Sequence, residues 1–215
     1  MPIKADREYR NFACFNLEKR DVEGTEKRIV DGYASTFEEY RIRDFGDEEW
    51  TERIAPTAFD EADMSDVVFL KDHTGTVFAR TKNNTIALIT DEKGLHAEAD
   101  LSRTQSARQM YEEIEAGMYT QMSFAFIVSD QHFEEEMRDG KRIIHRIIDK
   151  VSKVFDVSAV SFPANPNTEI GVATRSAFDG AIEQLRAERL RVEAEQREQK
   201  RKQLELKIKM EELEK

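Results

Sequence analysis

Apolar and polar residues alternate most regularly over residues 121–128. Met122, Phe124, Phe126 and Val128 fall on one face of an extended chain, and Gln121, Ser123, Ala125 and Ile127 on the other. Strand-like patterns also run over 9–18 and 27–37, joined by a polar link that carries Gly24, which predicts a hairpin. The charged stretch 41–49, with Gly46, predicts a mobile loop, and Pro56 or Thr57 marks the start of a short helical patch. Val67-Val68-Phe69-Leu70 is too short for a helix and predicts a buried strand. It runs into Lys71-Asp72-His73-Thr74-Gly75, which puts His73 at a strand mouth where a loop begins. Strands over 77–81 and 85–90 continue the sheet around an Asn83-Asn84 turn. Leu95, Ala97, Ala99 and Leu101 then face inward along a further strand, with His96 on its polar side beside Glu98 and Asp100.

Residues 102–117 predict the clearest helix of the body. Met110, Ile114 and either Ala107 or Met118 fall at helical spacing, and Gly117 suits a C-cap. The strand 121–128 leads into a hairpin with its tip near Asp139-Gly140. A last strand over 153–162 is stopped by Pro163-Ala164-Asn165-Pro166-Asn167-Thr168. Many strands with one or two packed helices predict an α+β fold, a mostly antiparallel, closed or nearly closed β-barrel with a few flanking helices.

The pattern changes after residue 172, so 1–172 is expected to form the body and 173–215 a linker and charged helical tail. Ser176 and Asp179 have capping-box spacing, and no Pro or Gly follows Gly180. Phe178, Ile182, Leu185, Leu190 and Val192 give a short apolar stripe, but 193–203 is almost wholly polar. A coiled coil and a solvated helix with i,i+4 ion pairs both fit.

Charge sharpens this division. Of the 215 residues, 39% are hydrophobic and 36% charged, yet 177–215 carries equal numbers of acidic and basic side chains. The net charge of -11 therefore belongs to residues 1–176. An acidic body argues against non-specific nucleic-acid binding and favours a basic or mixed-charge protein partner. Cys14 is the sole cysteine, which excludes a disulfide framework and a thiolate metal cluster. The polar start and the lack of any long apolar run predict a soluble protein of a reducing compartment, without a membrane segment.

On its own, Ser123 reads either as an ordinary strand serine or as a nucleophile. A hydroxyl nucleophile needs a base within hydrogen-bond reach and a group to orient that base. Of four histidines, His132 lies in the charged run beside Glu134-Glu135-Glu136 and reads as solvated, and His96 sits among carboxylates. His145 alternates with Ile143 and Ile147, as a core or edge histidine does. His73 ends a buried strand, a position that keeps it accessible. Asp156 is the only charge between Val154 and Val160, and burial of a carboxylate is costly unless it is paired. An imidazole, backbone N–H groups or an arginine such as Arg146 could each satisfy it. No ligand spacing supports a metal, and no Gly-x-Ser-x-Gly elbow or phosphate-binding glycine loop is present.

These stretches together resemble the prohead maturation proteases of tailed bacteriophages, serine proteases related in fold to the herpesvirus assemblins. The matching segments are Glu52-Arg53-Ile54-Ala55-Pro56-Thr57-Ala58-Phe59, Phe69-Leu70-Lys71-Asp72-His73, Met122-Ser123-Phe124-Ala125-Phe126, and Asp156-Val157-Ser158-Ala159-Val160-Ser161-Phe162-Pro163-Ala164-Asn165-Pro166. The resemblance covers roughly residues 28–172, with Thr57 where the family more often has Gly. The resemblance implies Ser123 as nucleophile, His73 as general base and Asp156 as third member. His145 is the fallback for that third place, and Asp72 ranks lower. It implies no cofactor and no metal. It further implies action on the major capsid protein or scaffold, and on the protease itself, in the host cytoplasm and then inside the immature capsid. The tail would contact scaffold, and self-association is compatible. The competing reading is a non-catalytic capsid assembly or scaffolding protein with a docking barrel and an oligomerising helix. A different serine hydrolase, such as an esterase, is a third reading and lacks its elbow motif.

Overall fold

The computed structural model describes residues 7–12, 16–22 and 25–161, and beyond them 182, 185, 187, 190–192, 194–195 and 197–203. The chain divides into two compact units, Met1–Thr174 and Arg175–Lys215. The described residues of the second unit are helical. The linker 163–168 and the proposed cap at Ser176 lie outside the described residues.

The described residues of the first unit form two sheets. One contains β1 (Glu8–Phe12), β4 (Tyr40–Asp44), β5 (Glu48–Ile54), β6 (Val68–Lys71), β7 (Thr74–Arg80), β10 (Gln121–Arg138) and β11 (Lys141–Val160). Its main path runs β1-β10-β11-β5-β4, with β6 added to β11 and β7 to β6. The other sheet is antiparallel, in the order β2-β3-β9-β8, from β2 (Asn16–Val22), β3 (Thr25–Thr36), β8 (Ile86–Thr90) and β9 (Gly94–Asp100). The single α-helix among this unit's described residues, α1 (Gln105–Glu115), starts where Thr104 Oγ1 accepts the Ala107 N–H at 3.1 Å. It ends at Gly117, whose φ of +75° lets the N–H groups of residues 117 and 118 turn back to the carbonyls of Ile114 and Glu113.

The closed or nearly closed barrel expected from the sequence is not formed. No strand ladder joins the two sheets among the described residues, so both stay open. The larger one is also mixed, because β11 pairs in parallel with β5 and then with β6. Three local expectations also change. The predicted strand 9–18 is two strands, β1 on β10 in one sheet and β2 on β3 in the other. The charged stretch 41–49 is a β4–β5 hairpin rather than a loop, since β5 has β11 to pair with. Residues 57–61 form turns, not a helix.

The sheets and α1 enclose one core. Met122, Phe124, Phe126 and Val128 from β10 meet Val30, Leu95, Ala97 and Ala99 from the second sheet and Ala107, Met110, Tyr111 and Ile114 from α1. Phe124 stacks on Phe126 at 4.4 Å between centroids. Burial of side chains this large, at about 25 cal/mol per Å² of apolar surface, is the main force holding β10 in place. Residues Ser123 and Ala125, on the opposite face of β10, are also fully buried. The β10–β11 turn is Asp139-Gly140, both at positive φ, the two-residue hairpin pattern that Asp-Gly favours.

Candidate active site

Three strands converge on Ser123. β10 carries it opposite Ser158 of β11, and Asp156 stands two residues earlier on β11, opposite Ala125. β6 runs parallel beside this end of β11, with Val68 opposite Asp156 and Leu70 opposite Ser158. The chain then reverses through Asp72 and His73, so the imidazole is delivered across the end of β11 toward β10.

The result is an unbroken chain of short hydrogen bonds. Ser123 Oγ lies 2.6 Å from His73 Nε2, and His73 Nδ1 lies 2.6 Å from Asp156 Oδ1. Asp156 is buried, whereas the His73 side chain keeps 17% of its surface exposed. The Ser158 hydroxyl donates to the same Asp156 Oδ1 at 2.7 Å. A buried carboxylate is thereby held by two donors, as its desolvation requires. With Nδ1–H donated to Asp156, Nε2 is left as an acceptor for the serine proton. The ring of Tyr9 meets the imidazole edge-on at 4.5 Å between centroids. Such an arrangement can move a proton from a hydroxyl to an imidazole and stabilise the resulting cation with a carboxylate.

A second acceptor also faces the hydroxyl, the main-chain carbonyl of Arg10 at 2.9 Å. One proton cannot serve both, so Ser123 donates either to His73 or to Arg10. The main chain there is paired with β10, and the Arg10 side chain enters a buried ion cluster. Arg10 Nη2 meets Glu8 and Glu52 at 2.7 Å each, and Arg146 Nη1 meets Glu8 at 2.8 Å and Glu52 at 2.7 Å. The Tyr40 hydroxyl also donates to Glu52. Burial alone pushes the Glu52 carboxyl up, but the guanidinium groups of Arg10 and Arg146 outweigh it and hold it at about 2. The carboxyl of Glu8 is likewise lowered: burial raises it and the Arg146 and Arg10 charges more than compensate.

The other sequence candidates lie elsewhere. Arg146, a possible partner for Asp156, is committed to the ion cluster instead. His145 bonds to Thr51 at 2.9 Å and to Glu39, and sits opposite Glu134 in the far half of β11. Asp72 directs its carboxylate to Ser161 rather than to the imidazole. His96 contacts Asp31 at 3.2 Å. His132 is exposed and bonds to Asp149, which raises its affinity for a proton. Sequence reasoning did not single out Ser158, Tyr9 or Arg10. Of these, only Ser158 had a signal, being a hydroxyl two residues from Asp156 and so on the same face of its strand. Among the described residues, no three His, Cys, Asp or Glu side chains gather as a metal site, and no helix is long and apolar enough to cross a membrane.

The sequence profile of the caudovirus prohead serine proteases matches residues 15–181, well over half of the chain. The chain belongs to that family. Among solved structures, the prohead protease is similar to the bacteriophage T4 capsid assembly protease gp21, with a TM-score of 0.43 and 11% sequence identity over 74% of this chain and 99% of that one. No curated protein sequence matches it. A protease role in capsid maturation therefore follows from the family.

Proposed function

We propose that this prohead protease is a serine endopeptidase in which Ser123 is the nucleophile, His73 the general base and Asp156 the group that orients and stabilises the imidazole. The observation that carries the reading is the pair of 2.6 Å contacts that link Ser123, His73 and Asp156 in that order. In the acylation step, His73 Nε2 takes the Oγ proton as Oγ bonds to the carbonyl carbon of the scissile peptide. The imidazolium then gives that proton to the leaving amine, the C–N bond breaks, and an acyl-serine remains. Water, deprotonated by the same nitrogen, hydrolyses the ester and restores the hydroxyl. The buried Asp156 carboxylate lowers the cost of the transient cation, and Ser158 keeps the carboxylate aimed. Because Ser123 is fully buried, access by a peptide requires Tyr9 or the adjoining β1 main chain to shift.

Its substrates are the scaffold or the scaffold-like arm of the major capsid protein, and the protease itself, cut within the immature capsid after synthesis in the host cytoplasm. The unit beyond residue 174 serves as the scaffold-contacting segment. The test is to co-express the full chain with its capsid and scaffold proteins, wild type beside Ser123→Ala, and to follow the products by mass spectrometry. Fragments that appear only with the wild type are expected. Fragments that persist with Ser123→Ala overturn the nucleophile assignment, and normal assembly without any cleavage supports a scaffolding role instead.

A further inference from the structure

His73 is delivered by a turn that its own sequence does not favour. Lys71 pairs with Thr74, so β6 and β7 are joined by Asp72 and His73 alone, with φ of +46° and +59°. A two-residue hairpin with both central residues left-handed prefers Asn-Gly or Asp-Gly. Asp72 is at home in the first position, and His73 occupies the glycine position, which a histidine tolerates better than most side chains but at a cost glycine does not carry. Such a conformation persists only when its surroundings impose it.

Beyond the hydrogen bonds of the imidazole itself, the turn is anchored through Asp72. Its N–H donates to the Ala159 carbonyl at 3.0 Å, which continues the parallel β6–β11 pairing one step past the strand. Its Oδ1 accepts from the Ser161 N–H at 2.9 Å and from the Ser161 hydroxyl at 3.1 Å. Ala159 and Ser161 lie just beyond Asp156 on the same stretch of chain. The turn is thus fastened to the segment that carries the imidazole's carboxylate partner. We infer that Asp72 is a positioning residue: its carboxylate clamps the β6–β7 turn to the end of β11 and so holds the His73 ring between Ser123 and Asp156. The inference rests on the reading of His73 as general base.

Glycine and asparagine at position 72 separate this role from plain stability. Asp72→Gly keeps the left-handed backbone readily accessible but removes the clamp, whereas Asp72→Asn keeps an acceptor oxygen and tolerates the same φ. Three quantities are read on the full chain: Tm, the low-field proton resonance of the His73 Nδ1–H, and the rate of Ser123 phosphonylation by a fluorophosphonate probe. Asp72→Gly is expected to keep or raise Tm while the resonance broadens and the rate falls by about tenfold or more, the scale of a misplaced catalytic group. Asp72→Asn retains both the resonance and the wild-type rate. Ser161→Pro, which removes both donors and leaves Asp72 intact, reproduces the loss and covers the case in which Asp72→Gly folds poorly. An intact resonance and wild-type labelling rate in Asp72→Gly or Ser161→Pro overturn the inference while leaving the base assignment standing. A His73→Ala chain that labels as fast as wild type overturns the base assignment itself, and this inference with it.

Discussion

Replacing Glu52 by Gln tests whether the buried ion cluster holds β1, and with it the Arg10 carbonyl, against the nucleophile strand. Glu52 is fully enclosed and shared by Arg10, Arg146 and Tyr40, while Glu8 balances the second guanidinium. The substitution is nearly isosteric, so it leaves packing intact and strands one buried positive charge. Breaking a buried pair in this way costs about 3–5 kcal/mol. A chain of this size loses about 2–4 °C in Tm for each kcal/mol, so a fall of roughly 10 °C is expected by differential scanning calorimetry. The pH dependence gives an independent measure. The Glu52 carboxyl is depressed in the folded state from 4.5 to about 2, so its contribution is present in full above the unfolded value and is lost as pH falls through that window. At about 1.36 kcal/mol per unit, the wild type should lose about 3 kcal/mol between pH 5 and pH 2 that Glu52→Gln does not lose. Adding Arg146→Met to Glu52→Gln restores neutrality and should recover part of the deficit. A Glu52→Gln protein within about 1 kcal/mol of wild type, with an unchanged acid slope, would refute the reasoning.

Two further outcomes are expected. His145→Ala should leave fluorophosphonate labelling and capsid-protein cleavage unchanged, because His145 stands eleven residues before Asp156 on β11, on the order of 35 Å of strand at about 3.3 Å per residue. A large loss of activity without a loss of folding would return it to candidacy. Deleting residues 177–215 should leave a folded protease body with a cooperative thermal transition, since the body, Met1–Thr174, is a compact unit by itself. Precipitation or a non-cooperative melt would make the tail structural.

The features legible in the sequence are those set by near neighbours. The alternation around Ser123, the Asp139-Gly140 turn, the helix with Met110 and Ile114, and the strand that runs into the His73 turn all depend on residues within one element or its immediate end. Asp156 stood out because a lone charge in an apolar strand demands a partner. The architecture depended instead on distant pairings. β1 reaches β10 across more than a hundred residues, and β11 recruits β5 and β6 in parallel, which no local period announces. That is why a closed antiparallel barrel was the natural expectation and two open sheets the outcome. It is also why 41–49 read as a loop: its charges are tied down by β11, with Lys141 bonded to Asp44 and Glu49. The ion cluster was equally hidden, because residues 8, 10, 52 and 146 meet only after the sheet forms.

The most direct test of the Ser123–His73–Asp156 assignment is to treat the full chain with a fluorophosphonate and map the adduct by peptide mass spectrometry. A single adduct on Ser123 in the wild type, lost in His73→Ala and strongly slowed in Asp156→Asn, is predicted. An unlabelled Ser123, or one that labels equally well without His73, would contradict it.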